Sequence, residues 1–125
     1  METILVVDDE PVVLKLCQTI LRRGGYDVLT ATGGEEALRL LQNGPPINLA
    51  LLDVIMPGMN GIELANRIEK TSPSTKVVLM SGYGPREIAR VVGENPYRII
   101  WKPFKTESLL RMIENVLGEP TGAAV

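Results

Sequence analysis

Short apolar runs alternate with longer amphipathic segments along the chain. Four of these runs are four or five residues long and almost continuously apolar, a pattern typical of strands buried on both faces of a parallel sheet. They are Thr3–Val7, Leu49–Leu52, Lys76–Met80 and Arg98–Trp101. A fifth run, Tyr26–Ala31, mixes polar and apolar residues and predicts a strand nearer an edge of the sheet.

Five amphipathic segments between these runs predict helices. Each repeats apolar residues at helical spacing and ends close to a glycine or a proline, the residues that commonly terminate helices. The segments are Pro11–Arg23, Gly34–Asn43, Gly61–Thr71, Pro85–Val92 and Thr106–Leu117. Strands and helices that alternate in this way predict an α/β protein of five βα units. Right-handed crossovers would place helices on both faces of a parallel sheet.

Length and composition indicate one globular domain. The chain has 125 residues, of which 45% are hydrophobic and 22% charged, ordinary values for a soluble domain with a single core. We expect the domain to span residues 1–118 and residues 119–125 to form a tail or the stub of a linker. The net charge of −2 gives no general attraction to nucleic acid or to an anionic membrane, so neither is expected as a direct partner.

The numbers of cysteine and histidine residues limit the expected cellular compartment and the kinds of catalytic or metal site that the chain can form. The single cysteine, Cys17, allows no intramolecular disulfide and is interpreted as a core residue of the first helix. Because no secretion signal is visible and no apolar run approaches the ~20 residues of a membrane span, the expected location is the cytoplasm. The absence of histidine excludes histidine acid–base catalysis, Ser-His-Asp triads and His-ligated zinc.

Chemically active side chains follow four of the five predicted strands. Asp8 and Asp9 follow the first strand, Asp53 the third, Ser81 the fourth and Lys102 the fifth. In folds of this kind, ligands bind beyond the carboxyl ends of the strands, where the strand order reverses. The sequence therefore predicts that the acids, the hydroxyl and the amine converge at one edge of the sheet.

Three converging carboxylates require a cation. Two like charges about 4 Å apart repel by roughly 4 kcal/mol at an effective dielectric constant near 20. Carboxylate oxygens suit Mg²⁺ rather than zinc or copper. A carboxylate beside Mg²⁺ can attack a phosphoryl group to form an acyl phosphate, and Lys102 and Ser81 would supply charge and a hydroxyl donor to its oxygens. The predicted chemistry is phosphoryl transfer to an aspartate.

Four motifs carry a family resemblance: ILVVDDEP at 4–11, LDVIMPGMNG at 52–61, MSGY at 80–83 and WKPF at 101–104. Together they resemble the receiver domains of bacterial two-component response regulators, including chemotaxis regulators and the receivers of hybrid sensor kinases. The resemblance extends from Thr3 to about Leu117 and so covers nearly the whole chain.

This resemblance implies a fold and a metal site. The fold would be a flavodoxin-like, doubly wound sandwich with strand order 2-1-3-4-5. Asp53 would be the phosphorylated residue. Asp8, Asp9 and Asp53 would hold Mg²⁺ together with the backbone carbonyl of Ile55.

The resemblance also implies partners and a switch. Ser81 would bond a phosphoryl oxygen and Lys102 would pair with the phosphate, beside a cis bond to Pro103. The donor would be a phosphohistidine on a histidine kinase or a histidine phosphotransfer protein. The shape change would be displayed by the fourth helix, fifth strand and fifth helix. Such a domain is a phosphoacceptor rather than an enzyme, with at most slow autophosphorylation and autodephosphorylation, and would be a monomer or weak homodimer.

Two departures from the family pattern concern the switch and the lifetime of the phosphate. Receivers commonly carry Tyr or Phe three residues before the lysine, where this chain has Ile99; Tyr97 lies on the same predicted face one pleat earlier. The positions that flank the phosphate in receivers hold Ile55 and Tyr83, both bulky. We therefore expect an unusual relay and slow self-dephosphorylation.

Three other functions compete with the receiver interpretation. An aspartyl-nucleophile phosphatase resembling haloacid dehalogenases would need a second Asp where Ile55 stands. A flavodoxin-like cofactor binder would need a phosphate-binding loop where Asp8 and Asp9 stand. A pseudo-receiver would keep the fold as an interaction module without being phosphorylated, although the complete set of five site residues argues against it.

Overall fold

The computed structural model describes residues 1–93 and 96–119, and strands and helices alternate throughout them. The strands are β1 (Thr3–Val7), β2 (Asp27–Ala31), β3 (Leu49–Asp53), β4 (Lys76–Ser81) and β5 (Arg98–Trp101). The helices are α1 (Pro11–Arg23), α2 (Gly34–Asn43), α3 (Gly61–Thr71), α4 (Pro85–Val92) and α5 (Thr106–Gly118). The predicted alternation is confirmed, although β2 starts one residue later than predicted and β3 and β4 each include one polar residue more. Of the predicted tail, residues 120–125 lie outside the described residues.

The five strands form one parallel sheet in the order β2-β1-β3-β4-β5. The predicted order is therefore confirmed. Since β1 leads to β2 on one side while β3 lies on its other side, the strand order reverses between β1 and β3. A ligand crevice is expected beyond the carboxyl ends of these two strands.

None of the described helices is long and apolar enough to cross a membrane.

Alternate side chains of the central strands enter two separate cores. On β1, Ile4 and Val6 pack with α1 and α5, whereas Leu5 and Val7 pack with residues of α2 and α3 on the opposite face. Cys17 is fully buried in the first of these cores, as expected for a packing residue. Burial, followed by the nearby charge of Asp8, raises the pKa of its thiol to about 11, so the thiol stays protonated at neutral pH.

The fifth strand corrects one sequence expectation. Arg98–Trp101 was expected to be buried on both faces, but β5 is an edge strand and only Ile100 is buried. Arg98 and Trp101 are exposed and Ile99 is half-buried. Because β5 has a neighbouring strand on one side only, its side chains are covered less completely than those of a central strand.

The connection between β3 and α3 is built tightly. Asn60 caps α3 by accepting from the Glu63 amide at 2.9 Å, and the Glu63 carboxylate accepts from the Asn60 amide at 3.1 Å. Gly61 is required because a Cβ there would overlap the carbonyl oxygen of Asp53. Gly58, at φ +74°, supplies a left-handed turn residue within the loop. The loop after Asp53 is therefore fixed at its carboxyl end.

The carboxyl end of α5 is tied to the start of β4. The Lys76 ammonium donates to the carbonyl of Val116 at 2.9 Å and that of Leu117 at 3.3 Å, and also to the carbonyl of Glu119. Glu119 pairs in turn with Arg98 at the start of β5. Because the last carbonyls of a helix have no intrahelical donors, one lysine satisfies several of them and complements the helix dipole.

Replacing Lys76 by methionine should lower the free energy of unfolding by about 1–2 kcal/mol, because the carbonyls at the end of α5 lose a charged donor. Urea unfolding would measure the change. The control is Lys15→Met, which removes a lysine exposed on α1. Equal losses in the two variants would show that the contacts at α5 contribute nothing specific.

Candidate functional site

The fold brings the predicted site residues to one edge of the sheet. Asp8 follows β1, while Asp53 and Ser81 are the last residues of β3 and β4. Lys102 follows β5, and its amide donates to the carbonyl of Ser81 at 2.7 Å. The strand ends are in parallel register, with Asp53 opposite Met80. The convergence predicted from four strand ends is present in the structure.

Three carboxylates form the acidic cluster: Asp8, Asp9 and Asp53. One oxygen from each lies within 4.8 Å of the others. Asp8 is fully buried, Asp53 is 6% exposed, and Asp9 is exposed. The Asp8 carboxylate also accepts from the backbone amide of Glu10 at 2.9 Å, so this acid is held in place by the chain that follows it.

Lys102 pairs with two members of the acidic cluster. Its ammonium lies 2.8 Å from Asp8 Oδ2 and 3.4 Å from Asp53 Oδ1. Burial acts to lower the pKa of Lys102, but the hydrogen bond to Asp8 and the charge of Asp53 outweigh it and leave the pKa raised. The lysine is therefore a fixed positive charge. The sequence predicted contact with a phosphate but not the bond to Asp8, which spacing along the chain does not reveal.

The charge of Asp53 is poorly compensated by the protein itself. The pKa of Asp53 is raised from 3.8 to about 6, first by burial and then by the charge of Asp8, while Lys102 acts in the opposite direction. A carboxylate that resists ionisation is one that an added cation would stabilise.

The donor set around the acidic cluster fits Mg²⁺. A cavity of about 460 Å³ is lined by Asp9, Glu10, Asp53, Ile55 and Lys102, among others. Its acids offer hard oxygen ligands, and the described residues place no nitrogen or sulfur ligand in the same cluster. Ile55, two residues after the end of β3, lines the cavity, and its backbone carbonyl is the predicted fourth protein ligand.

The family follows from the comparison with known proteins. The pattern of the response regulator receiver domain matches residues 4–114, which is most of the chain and includes all the acidic cluster. The chain belongs to the response regulator receiver family. Receiver domains are generally phosphoacceptors of two-component signalling and not enzymes. They bind Mg²⁺ at an acidic pocket.

The curated relatives are longer than this chain. A cyclic di-GMP phosphodiesterase of Thermotoga maritima is 34% identical over 116 residues, which are 92% of this chain and 31% of that protein. The transcriptional regulatory protein YkoG of Bacillus subtilis is 35% identical over 117 residues, 91% of this chain and 50% of that protein. The chain thus spans about a third to a half of the length of these relatives.

Solved structures agree in fold. A CheY-like receiver of Methanospirillum hungatei has a TM-score of 0.80 and 32% identity, with 94% of each chain covered. TrrA of Thermotoga maritima, solved in complex with Mg²⁺-BeF, has a TM-score of 0.78 and 32% identity over 93% of this chain and 99% of that chain. The predicted flavodoxin-like, doubly wound fold is confirmed.

The Ser81 hydroxyl of this receiver is engaged in the turn that follows β4. Ser81 is buried, its Oγ accepts from the Tyr83 amide at 3.0 Å, and it donates to the Tyr83 carbonyl at 3.3 Å. The hydroxyl proton therefore points into the turn rather than at Asp53. Sequence reasoning identified Ser81 but missed its attachment to Tyr83, because a backbone partner leaves no signal in residue types.

Ile99 holds the position where an aromatic ring is expected, and Tyr97 does not reach that position. Both residues pack into the core under α3, so the predicted shared face is confirmed. Ser81 lies opposite Trp101 in the sheet. Tyr97 comes four residues before Trp101, so it lies about 13 Å nearer the amino end of the sheet than Ser81 does. Its hydroxyl donates to Glu69 at 2.9 Å. Burial and that carboxylate raise its pKa to about 12.

The raised pKa of Asp53 predicts a pH-dependent stability in the absence of divalent cations. The pKa of the Asp53 carboxyl is 3.8 in the unfolded chain and about 6 in the folded protein. The folded state therefore binds more protons between these values, and stability falls as pH rises through them. At pH 7 the free energy of unfolding of Asp53→Asn should exceed that of wild type by about 3 kcal/mol, and the difference should shrink as the pH falls toward 4.

Urea unfolding in EDTA between pH 4 and 7 would measure this gap. Asp27→Asn, which removes an exposed acid at the start of β2, is the control for the loss of a carboxylate outside the acidic cluster. A gap between Asp53→Asn and wild type that stays constant with pH would contradict the assignment.

Proposed function

We propose that Asp53 accepts a phosphoryl group from a phosphohistidine on a histidine kinase or a histidine phosphotransfer protein. The carboxylate of Asp53 attacks phosphorus, the bond from phosphorus to the histidine nitrogen breaks, and that nitrogen keeps the electron pair. The product is an acyl phosphate on Asp53. Support comes chiefly from one observation, the convergence of Asp53 with Asp8, Asp9 and Lys102 at the sheet edge.

Each neighbour of Asp53 has a defined part in this proposal. Asp8, Asp9, Asp53 and the carbonyl of Ile55 hold Mg²⁺, which when bound neutralises charge on the transferring oxygens. Lys102 is 3.4 Å from Asp53 Oδ1 and pairs with a phosphoryl oxygen once the group is attached. Binding of the phosphoryl group releases Lys102 from part of its pairing with the acids.

We further propose that the switch begins at Ser81. Its hydroxyl turns from the carbonyl of Tyr83, 3.3 Å away, toward a phosphoryl oxygen. The freed carbonyl alters the turn leading into α4, which begins at Pro85. The signal is then displayed by α4, β5 and α5, and Ile99 makes this relay depend on the turn rather than on an inward-moving ring.

Acetyl phosphate with Mg²⁺ should add one phosphoryl group per chain, seen as a single acid-stable and base-labile adduct by intact mass. Asp53→Asn and addition of EDTA should each abolish the adduct, because one removes the nucleophile and the other the cation. Asp27→Asn, at the opposite end of the sheet, is the matched control and should be phosphorylated normally.

No adduct on the wild-type chain would contradict the proposal and favour a pseudo-receiver. Turnover of many phosphoesters per chain would favour an aspartyl-nucleophile phosphatase instead. A domain extent of 1–118, a monomer or weak homodimer, and an origin in a hybrid sensor kinase stay predictions.

The lifetime of the phosphorylated form gives a separate prediction. Tyr83 is 54% exposed and lines the cavity with Ile55, so both side chains restrict the approach of a hydrolytic water. Tyr83→Ala should shorten the half-life of the acyl phosphate several-fold, followed by mass spectrometry after removal of acetyl phosphate. Trp101→Ala removes an aromatic ring outside the residues lining that cavity and serves as control. An unchanged half-life in Tyr83→Ala would exclude shielding by Tyr83.

A further inference from the structure

The loop that carries Ile55, residues 54–60, is fixed at both ends. At its start, the Val54 amide donates to the Met80 carbonyl at 3.0 Å, and the Val54 carbonyl accepts from Gly61 at 2.8 Å. At its end, Asn60 forms the cap of α3. Between these points lie the predicted metal-ligand carbonyl of Ile55 and a glycine turn, so the middle of the loop needs support from its own side chains.

Met59 contacts an element outside the acidic cluster. Its side chain is half-buried against the core under α2 and α3 and lies directly over Gly34, the first residue of α2. An ideal Cβ on Gly34 would be 2.7 Å from Met59 Sδ and 3.2 Å from its Cβ and Cε. A methyl group at position 34 would therefore force the Met59 side chain to shift from this position.

The neighbouring Gly33 provides an internal comparison. It is the N-terminal cap of α2 with an extended backbone at φ −172°, and an ideal Cβ on it would meet nothing within 4 Å. Neither glycine has a positive φ. Gly34 differs from Gly33 in that Met59 occupies the space beside it. Substitutions at the two glycines therefore distinguish the contact with Met59 from a general effect of changing the start of α2.

We propose that Met59 is a positioning residue for the Mg²⁺ site, and that its contact with Gly34 holds the loop so that the carbonyl of Ile55 faces the acidic cluster. Packing that orients a metal ligand changes the affinity without touching the metal. The proposal rests on the proposed function for the presence of Mg²⁺. It adds that the start of α2, which supplies no ligand, sets the strength of metal binding.

Thermal unfolding at increasing Mg²⁺ concentrations tests this on the full chain. Binding to the folded state raises the unfolding temperature by an amount that depends on the dissociation constant, and the same scan in EDTA shows whether each variant folds. Gly34→Ala and Met59→Ala should each weaken Mg²⁺ binding about three- to tenfold. Gly33→Ala and Met59→Leu, which respectively add an unhindered methyl and keep an apolar side chain, should stay within about twofold of wild type.

The double variant Gly34→Ala, Met59→Ala gives the sharpest result. Because the Met59→Ala change already removes the thioether that a methyl group at position 34 would displace, the double variant should bind Mg²⁺ no more weakly than Met59→Ala alone. In EDTA, Gly34→Ala should raise the unfolding temperature in the Met59→Ala background, since alanine favours helix over glycine. Additive losses of affinity would overturn the proposal, because they would mean that the two residues act separately.

Failure of this proposal is distinguishable from failure of the proposed function. Unchanged Mg²⁺ affinity in Met59→Ala, beside normal binding by wild type, would overturn the positioning role alone. A wild-type chain whose unfolding temperature does not respond to Mg²⁺ would overturn the metal site and the positioning role together. If Gly33→Ala weakened Mg²⁺ binding as much as Gly34→Ala, the positioning role of Met59 would also be overturned, because the effect would then come from the start of α2 and not from the contact with Met59.

Discussion

The interaction on which the site depends is the attraction of Lys102 for two buried carboxylates, Asp8 and Asp53. One ammonium cannot compensate both charges together with that of Asp9, and burial raises the pKa of Asp53 to about 6. The folded protein therefore keeps a local excess of negative charge at the carboxyl edge of the sheet. That excess destabilises the free protein and at the same time prepares the site for a divalent cation.

The sheet topology makes this charge excess possible. Because β1 and β3 are neighbours across the point where the strand order reverses, the acids that follow them meet without any long loop. The two cores on either face fix the strands that carry these acids. Fold stability away from the site thus offsets the electrostatic cost at the site, as is common where function needs an unfavourable arrangement.

Most of the fold was predictable because its signals are local. The alternation of apolar runs and amphipathic segments indicated all ten elements, since a buried parallel strand and an amphipathic helix have different periods. The partial exposure of β5 was not predictable, because the sequence Arg98–Trp101 resembles that of a central strand. Its position at the edge of the sheet depends on the strand order and not on its own residues. Residue types could place Asp53, Ser81 and Lys102 at strand ends. They could not show the contacts that reach across the chain, such as Lys102 to Asp8 or Met59 to Gly34.

The most direct test of this account is the titration of Asp53 itself. Carbon-13 NMR of the aspartate carboxyl groups, assigned with Asp53→Asn, would follow the protein with and without Mg²⁺. We predict a pKa near 6 for Asp53 in EDTA and a clear fall of that pKa when Mg²⁺ is added, because the cation stabilises the ionised form. An ordinary value close to 3.8 in EDTA, unaffected by Mg²⁺, would contradict the central claim that this edge of the sheet carries uncompensated charge.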